Sequence, residues 1–312
     1  MSLEEPRPKS ERLANVERLR LVAMLEIVAF HVSEKRLPLV AGLGLPTFLL
    51  LNGAFNCTLS ERMGTRPFVR VKVTRLLVPW LVWSLVYALV VLLQRMRHGE
   101  PIAEGFSAWM VVGGTYPHLW FVPFALCAGV FAALLRRSTR ELPVGPVIVA
   151  TLALGVAVVV VNAARLRSGT IEWPLLQWLF ALPSSLLGFA LGASLLTPTR
   201  MWLRGVLILA GLGTVACLLV LPWQTPPDLA TRYALSLSLV CLAFLWPGRA
   251  DPLSQRATPL LLGVYLSHPL IVRVYQATHW PEPPLALYAL LIFAVSAALV
   301  VLLRRTPLKF LV

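Results

Sequence analysis

Apolar runs of roughly 20 residues recur along the whole chain, and they constrain its fold more than any other feature. An α-helix rises about 1.5 Å per residue, so about 20 apolar residues are needed to cross the ~30 Å hydrocarbon core of a bilayer. The short alternating segments of an outer-membrane barrel are not seen. The residue balance agrees: 58% of residues are hydrophobic, 13% are charged and the mean hydropathy is +0.76, whereas a soluble domain carries about 25% charged residues. The expected fold is an all-α integral membrane protein with about ten transmembrane helices. They fall at 19–33, 38–58, 76–94, 118–135, 143–163, 174–196, 202–221, 229–247, 258–276 and 284–303. Prolines such as Pro38, Pro143, Pro198, Pro247 and Pro281 mark the joints, and residues 106–117 read as an interfacial segment. No small-x-small cleavage site follows the first apolar run, so it reads as a retained helix and not a signal peptide.

The chain carries a net charge of +14. In a soluble protein that would suggest nucleic acid; between membrane spans it first reflects the positive-inside rule. Residues 1–20, 61–75, 136–140, 200–204, 249–256 and 304–309 hold 20 of the 28 lysines and arginines, and the opposite connections hold 8. This split fits ten spans with both termini cytoplasmic, residues 1–18 forming a short cytoplasmic segment. No nucleic-acid partner is expected. Cys57, Cys127, Cys217 and Cys241 are scattered without metal-ligand spacing and read as small apolar residues. No metal is expected. The first five and last five spans share no polar or Gly/Pro pattern, unlike the halves of many carriers.

The first helix is chemically unusual. Glu17, Arg20, Glu26 and His31 sit in or beside its apolar run, although ionisable groups are expensive in a membrane span. At about 100° per residue, Glu17, Arg20 and His31 fall on one stripe, Arg20 and His31 roughly 16 Å apart, while Glu26 faces elsewhere. Each has a plain structural reading: Arg20 a snorkelling anchor, His31 a hydrogen-bonded core residue, Glu26 a paired or protonated carboxyl. Read together they suggest chemistry. Histidine takes a proton from a hydroxyl or carries an acyl group, and arginine grips phosphates. A donor with phosphates at one end of a long arm and a thioester at the other, such as acyl-coenzyme A, would span the stripe.

Glu17-Arg18-Leu19-Arg20, ten residues and then His31 resembles the start of the acyltransferase-3 family of integral membrane acyltransferases. Four later segments match its motifs in order: GLGLPTFLLLNGAF (42–55), FVRVKVTRLLVPW (68–80), HLWFVPFAL (118–126) and GVYLSHPLIV (264–272). The resemblance covers nearly the whole chain and is weakest at 140–250. Asn52 stands where the family usually has serine before the glycine. The family's extra extracytoplasmic hydrolase-like domain is not expected, leaving residues 1–312 as one membrane-embedded domain.

The resemblance implies that His31 is the central catalytic residue. Arg20 would bind the acyl-coenzyme A donor, and Glu17, placed with His31 among the catalytic candidates, would orient Arg20 through an i,i+3 ion pair. In the cytoplasmic loop expected before the third span, Arg70, Lys72 and Arg75 form a second basic cluster on the same side, with Arg75 matching the family's arginine before the proline. Asn52, His118, Trp120, Tyr265, His268 and Glu26 are substrate-binding or supporting candidates. His118 and Trp120 are either ordinary interface residues or, for Trp120, a stacking platform for a sugar. His98 and His279 are expected in solvated outer loops. The implied reaction moves an acyl group, expected to be acetyl, from acyl-coenzyme A to a hydroxyl of a saccharide or similar acceptor. The donor is a co-substrate and no cofactor is permanently bound. The expected location is a bacterial cytoplasmic membrane. His31 either acts as base in a single site or carries the acyl group between faces. The alternative is a proton-coupled transporter using Glu26, His31 and His268 as a relay.

Overall fold

A computed structural model describes residues 14–33, 42–165, 172–220, 229–246, 248–249 and 251–312. Among these residues the regular structure is all helical. Its elements are α1 (Ala14–Val32), α2 (Gly44–Met63), α3 (Thr65–His98), the one-turn α4 (Met110–Gly113), α5 (Phe121–Ser138), α6 (Val144–Arg165), α7 (Leu175–Leu195), α8 (Met201–Val220), α9 (Leu229–Leu245), the short α10 (Pro252–Ala257), α11 (Leu261–Ala277) and α12 (Leu285–Arg304). Ten helices of 17 residues or more thus stand at the expected positions. Residues 38–41, 221 and 247 of those spans, and residues 1–13 of the N-terminal segment, lie outside the described residues.

Among the described residues seven helices are long and apolar enough to cross a membrane by length and composition: α3, α5, α6, α7, α8, α12 and the continuous Pro252–Ala277 stretch. The other three explain themselves. α1 carries Glu17, Arg18, Arg20 and Glu26; α2 carries Asn52, Asn56 and the Ser60-Glu61-Arg62 end; α9 is a 17-residue helix. α1 packs on α2, α9, α10, α11 and α12, and α2 packs on α1, α3, α5, α7 and α9. α1 and α2 thus each pack against five other helices. The outer helices instead expose Leu85, Leu93, Val160, Leu209, Leu219 and Leu302, an apolar surface suited to lipid.

Residues 65–75 are helical, not a loop. α2 ends at Met63, the single residue Gly64 turns the corner at φ +78°, and α3 starts at Thr65. Pro67 is tolerated because it lies in the first turn, and the helix continues past Pro79 further along. At 34 residues α3 is about 51 Å long, so it passes well beyond a ~30 Å hydrocarbon core. It stops at Gly99, in the left-handed region, where Glu100 N–H reaches the Arg95 carbonyl at 2.9 Å and Gly99 N–H the Met96 carbonyl at 3.3 Å.

The lower end of α1 is held by the α9–α10 connection. Asn15 donates to the Trp246 carbonyl (3.2 Å), Arg18 donates to the Arg249 carbonyl (3.0 Å), and Arg18 lies 3.8 Å from Asp251, which caps α10. α1 and α11 therefore start at the same end of the bundle and run in the same direction.

The most extensive helix pair is α2 with α7. Gly188 and Gly192 are four residues apart on one face of α7 and meet Gly53 and Ala54 of α2. A Cβ on Gly53 would come within 2.8 Å of the Ser185 carbonyl oxygen, and one on Gly192 within 2.6 Å of the Ala54 carbonyl oxygen. Small residues at this spacing let helix backbones touch in a membrane. Gly188→Leu is expected to lower stability by about 1–3 kcal/mol or more, because a side chain there meets backbone that has nowhere to move. Thermal unfolding in detergent should show a clear drop for Gly188→Leu. Gly205→Leu, with open space around its Cβ position, should leave the midpoint unchanged or slightly raised.

Candidate active site

His31 ends α1 and belongs to a cluster of three histidines. Its ring centroid lies 4.9 Å from that of His268 and 6.4 Å from that of His118, and the last two are 5.7 Å apart. Among the described residues no group of histidine, cysteine, aspartate or glutamate is disposed to hold a metal ion. His31 Nδ1 lies 2.8 Å from the Ile27 carbonyl, and His268 Nδ1 lies 3.1 Å from the Val264 carbonyl. A carbonyl only accepts, so in each neutral ring Nδ1 carries the proton and Nε2 carries the lone pair. His268 is fully buried and His118 nearly so, and among the described residues neither His268 Nε2 nor either ring nitrogen of His118 has a hydrogen-bond partner.

Each histidine is aimed by its surroundings. His268 precedes Pro269, which has no N–H and interrupts the α11 hydrogen-bond ladder. Tyr87 of α3 enters the gap beside it: its hydroxyl donates to the Leu266 carbonyl (2.9 Å) and accepts from Leu270 N–H (3.1 Å). The hydroxyl thus ties together the two ends of the turn that holds His268. Tyr87 also stacks on Tyr116 (centroids 4.6 Å) and meets His118 edge-on (5.1 Å). His118 arrives from the stretch after α4, where Gly114 at φ +79° turns the chain inward, and the Tyr265 hydroxyl donates to its backbone carbonyl. Residues 106–117 thus hold only one helical turn and deliver Tyr116 and His118 to the interior. His118 and Trp120 are 4% and 7% exposed, and so lie inside the bundle rather than on its lipid-facing surface.

The cluster opens onto a cavity of about 660 Å³ lined by Phe30, His31, His118, Trp120, Trp173 and Tyr265, among others. This lies in the usual size range for a small-molecule site. Glu26 and Arg232 are on its wall. The Glu26 carboxylate accepts from Gly44 N–H at 2.7 Å and from Gly42 N–H, and it lies in the field of Arg232. Glu26 therefore ties α1 to the start of α2.

At the other end of α1, Arg20 lies over the faces of Phe48 and Phe55 (5.9 and 5.8 Å) and interacts with the Glu17 charge. Glu17 makes no ion-pair contact with it, and one carboxylate oxygen of Glu17 is buried without a hydrogen-bond partner. Lys72 lies in the field of both Arg20 and Arg75, so these three cations share one region. Arg70 does not join them; it is exposed, about 200° around α3 from Lys72.

The sequence model of the acyltransferase-3 family, described as an acyltransferase domain, matches residues 13–305. The chain belongs to the acyltransferase-3 family. No curated protein and no solved structure matches it. Membership makes the chain an acyltransferase, and its apolar helices make it a multi-pass membrane protein.

In this acyltransferase-3 protein the candidate residues from four distant segments fall into two groups: His31, His118, Trp120, Tyr265 and His268 at the cavity, and Arg20, Lys72 and Arg75 at the far end of α1. Asn52 is half-buried on α2 next to the Gly53 contact, and no hydrogen bond engages its side chain. Four further residues stand out only in the structure. Trp173 and Gln177 line the cavity, and Tyr116 borders His118. Asn56 is fully buried with neither side-chain atom bonded and packs beside Gly129. Asn56 was detectable as a second amide one turn after Asn52; Trp173 and Gln177 carry no local signal. His98 and His279 are exposed.

Tyr87→Phe removes a hydroxyl that donates to the Leu266 carbonyl and accepts from Leu270 N–H beside His268. Tyr87→Phe is expected to cost about 1–3 kcal/mol. Thermal unfolding compared with Tyr275→Phe, whose hydroxyl bonds an exposed carbonyl, should show the larger loss at Tyr87.

Proposed function

We propose that this protein moves an acyl group, most simply acetyl, from acyl-coenzyme A to a hydroxyl of a saccharide or similar acceptor, across a bacterial cytoplasmic membrane that all ten long helices span with both termini inside. The observation that carries this reading is the division of α1. Three cations gather near Arg20, and about 16 Å along the same helix His31 meets two more histidines at an aromatic cavity. That separation suits a donor whose phosphates and thioester lie at opposite ends of an extended arm.

Arg20, Lys72 and Arg75 hold the phosphates through charge-assisted hydrogen bonds. Arg70 contributes little, since it faces away. Glu17 acts on the Arg20 charge and not on the reacting atoms. The acceptor occupies the aromatic cavity, where Trp120 and Trp173 offer flat faces for a sugar ring. His31 Nε2 takes the proton of the acceptor hydroxyl as its oxygen bonds to the thioester carbonyl carbon. The tetrahedral intermediate then expels the coenzyme A thiolate, which recovers a proton from the imidazolium. The Ile27 carbonyl orients the ring through Nδ1–H, the arrangement a general base needs. His118 and His268 shape the pocket around it.

Calorimetric titration of acetyl-coenzyme A into the purified protein tests the donor assignment. Wild type should bind. Arg20→Ala should bind more weakly by about 1.5–3 kcal/mol, whereas Arg70→Ala and His31→Ala should bind nearly as wild type. A folded wild-type protein that does not bind, or an Arg20→Ala variant that binds normally, contradicts the assignment.

A further inference from the structure

His31 and Tyr116 border a second chamber of about 480 Å³, lined also by Gln94, Pro269, Arg273 and Gln276. Arg273 is half-buried there and rigidly held. Its Nε donates to the Tyr116 hydroxyl at 2.6 Å, its Nη1 donates to Gln94 Oε1, and its guanidinium lies over the Tyr116 ring at 4.9 Å from the centroid. Both hydrogen-bond partners are neutral. No carboxylate lies within ion-pair distance of Arg273 among the described residues, and none lines the chamber. A guanidinium has five N–H donors, and three of these meet no protein acceptor among the described residues.

The chamber lies beyond His31 as seen from the donor end. α1 and α11 start together at Arg18 and Asp251 and come together again at His31 and His268. Arg273 is five residues further along α11, about 7.5 Å past His268. The basic-residue asymmetry gives no reason for a cation at this end, where 8 of the 28 basic residues fall. A fixed planar fork with unfilled donors and no counter-charge is suited to bidentate capture of a carboxylate or phosphate.

We propose that this chamber binds an anionic group, carboxylate or phosphate, of the acyl acceptor, with Arg273 as its cation and Gln94 and Gln276 as polar support. The inference rests on the acyl-transfer reading and narrows it: the acceptor is an acidic glycan. It straddles His31, with the sugar bearing the reactive hydroxyl in the aromatic cavity and the anion on Arg273.

The test is binding of three matched oligosaccharides to the purified full chain: one with a uronate, one with a phosphate and one neutral. Wild type should bind an acidic probe at least about ten-fold more tightly than the neutral one, the worth of one charge-assisted hydrogen bond. The better of the two acids identifies the group. Arg273→Gln should abolish the preference and Arg273→Lys should keep part of it. Gln94→Ala should reduce it without removing the charge. Acetyl-coenzyme A binding to the same samples reports the donor site separately, so loss of the acid preference with donor binding retained is the expected signature. Equal binding of all three probes by wild type, binding of none, or a preference that survives Arg273→Gln overturns the proposal. A wild type that binds acidic probes but no acetyl-coenzyme A would refute the acyl-transfer reading instead.

Discussion

An ionisable side chain placed in hydrocarbon costs about 2.5–3.5 kcal/mol even on permissive insertion scales. α1 carries four charged residues with His31 in its last turn, so it must pack against protein, although Arg18, Val22 and His31 stay exposed. Much of the architecture follows from that one requirement. α1 and the amide-bearing α2 are central, and the helices with the most apolar exposed faces surround them. That packing in turn needs close approach, which the glycines of α2 and α7 permit by letting the two backbones meet.

The site depends on backbone groups as much as on side chains. Carbonyls of Ile27 and Val264 fix the rings of His31 and His268, and the Tyr265 hydroxyl fixes the His118 carbonyl. Pro269 opens the α11 ladder just where His268 must turn inward, and Tyr87 from another helix bridges the break. Tyr87 and Tyr116 then stack beneath His118. The catalytic candidates are thus held by neighbours on rigid helices, which is how a precise constellation is kept in place.

Much of this is legible in the sequence. The ten helix positions follow from apolar run length and proline punctuation, because each helix must bury or expose its own apolar surface locally. The alignment of Arg20 with His31 follows from the helical period alone. What resists reading is whatever depends on contacts between distant segments. The basic stretch after Gly64 reads as a loop because its charges break the apolar pattern, yet charge does not oppose helix. His118 and Trp120 have the signature of an interface pair, but the turn at Gly114 carries them inside. Arg273 looks like one outer cation among eight, and only the fold places it across His31 from the Arg20 end of α1. Trp173 and Gln177 reach the cavity from a segment with no motif at all.

The most direct test of the central claim, that a donor anchored near Arg20 presents its acyl carbon to His31, is affinity labelling. The reagent is an acyl-coenzyme A analogue with bromide on the carbon next to the thioester, and the adduct is located by mass spectrometry. The account predicts displacement of bromide by His31 Nε2, suppressed by excess acetyl-coenzyme A and lost in Arg20→Ala. An analogue that binds the protein yet labels other residues while leaving His31 unmodified would contradict it.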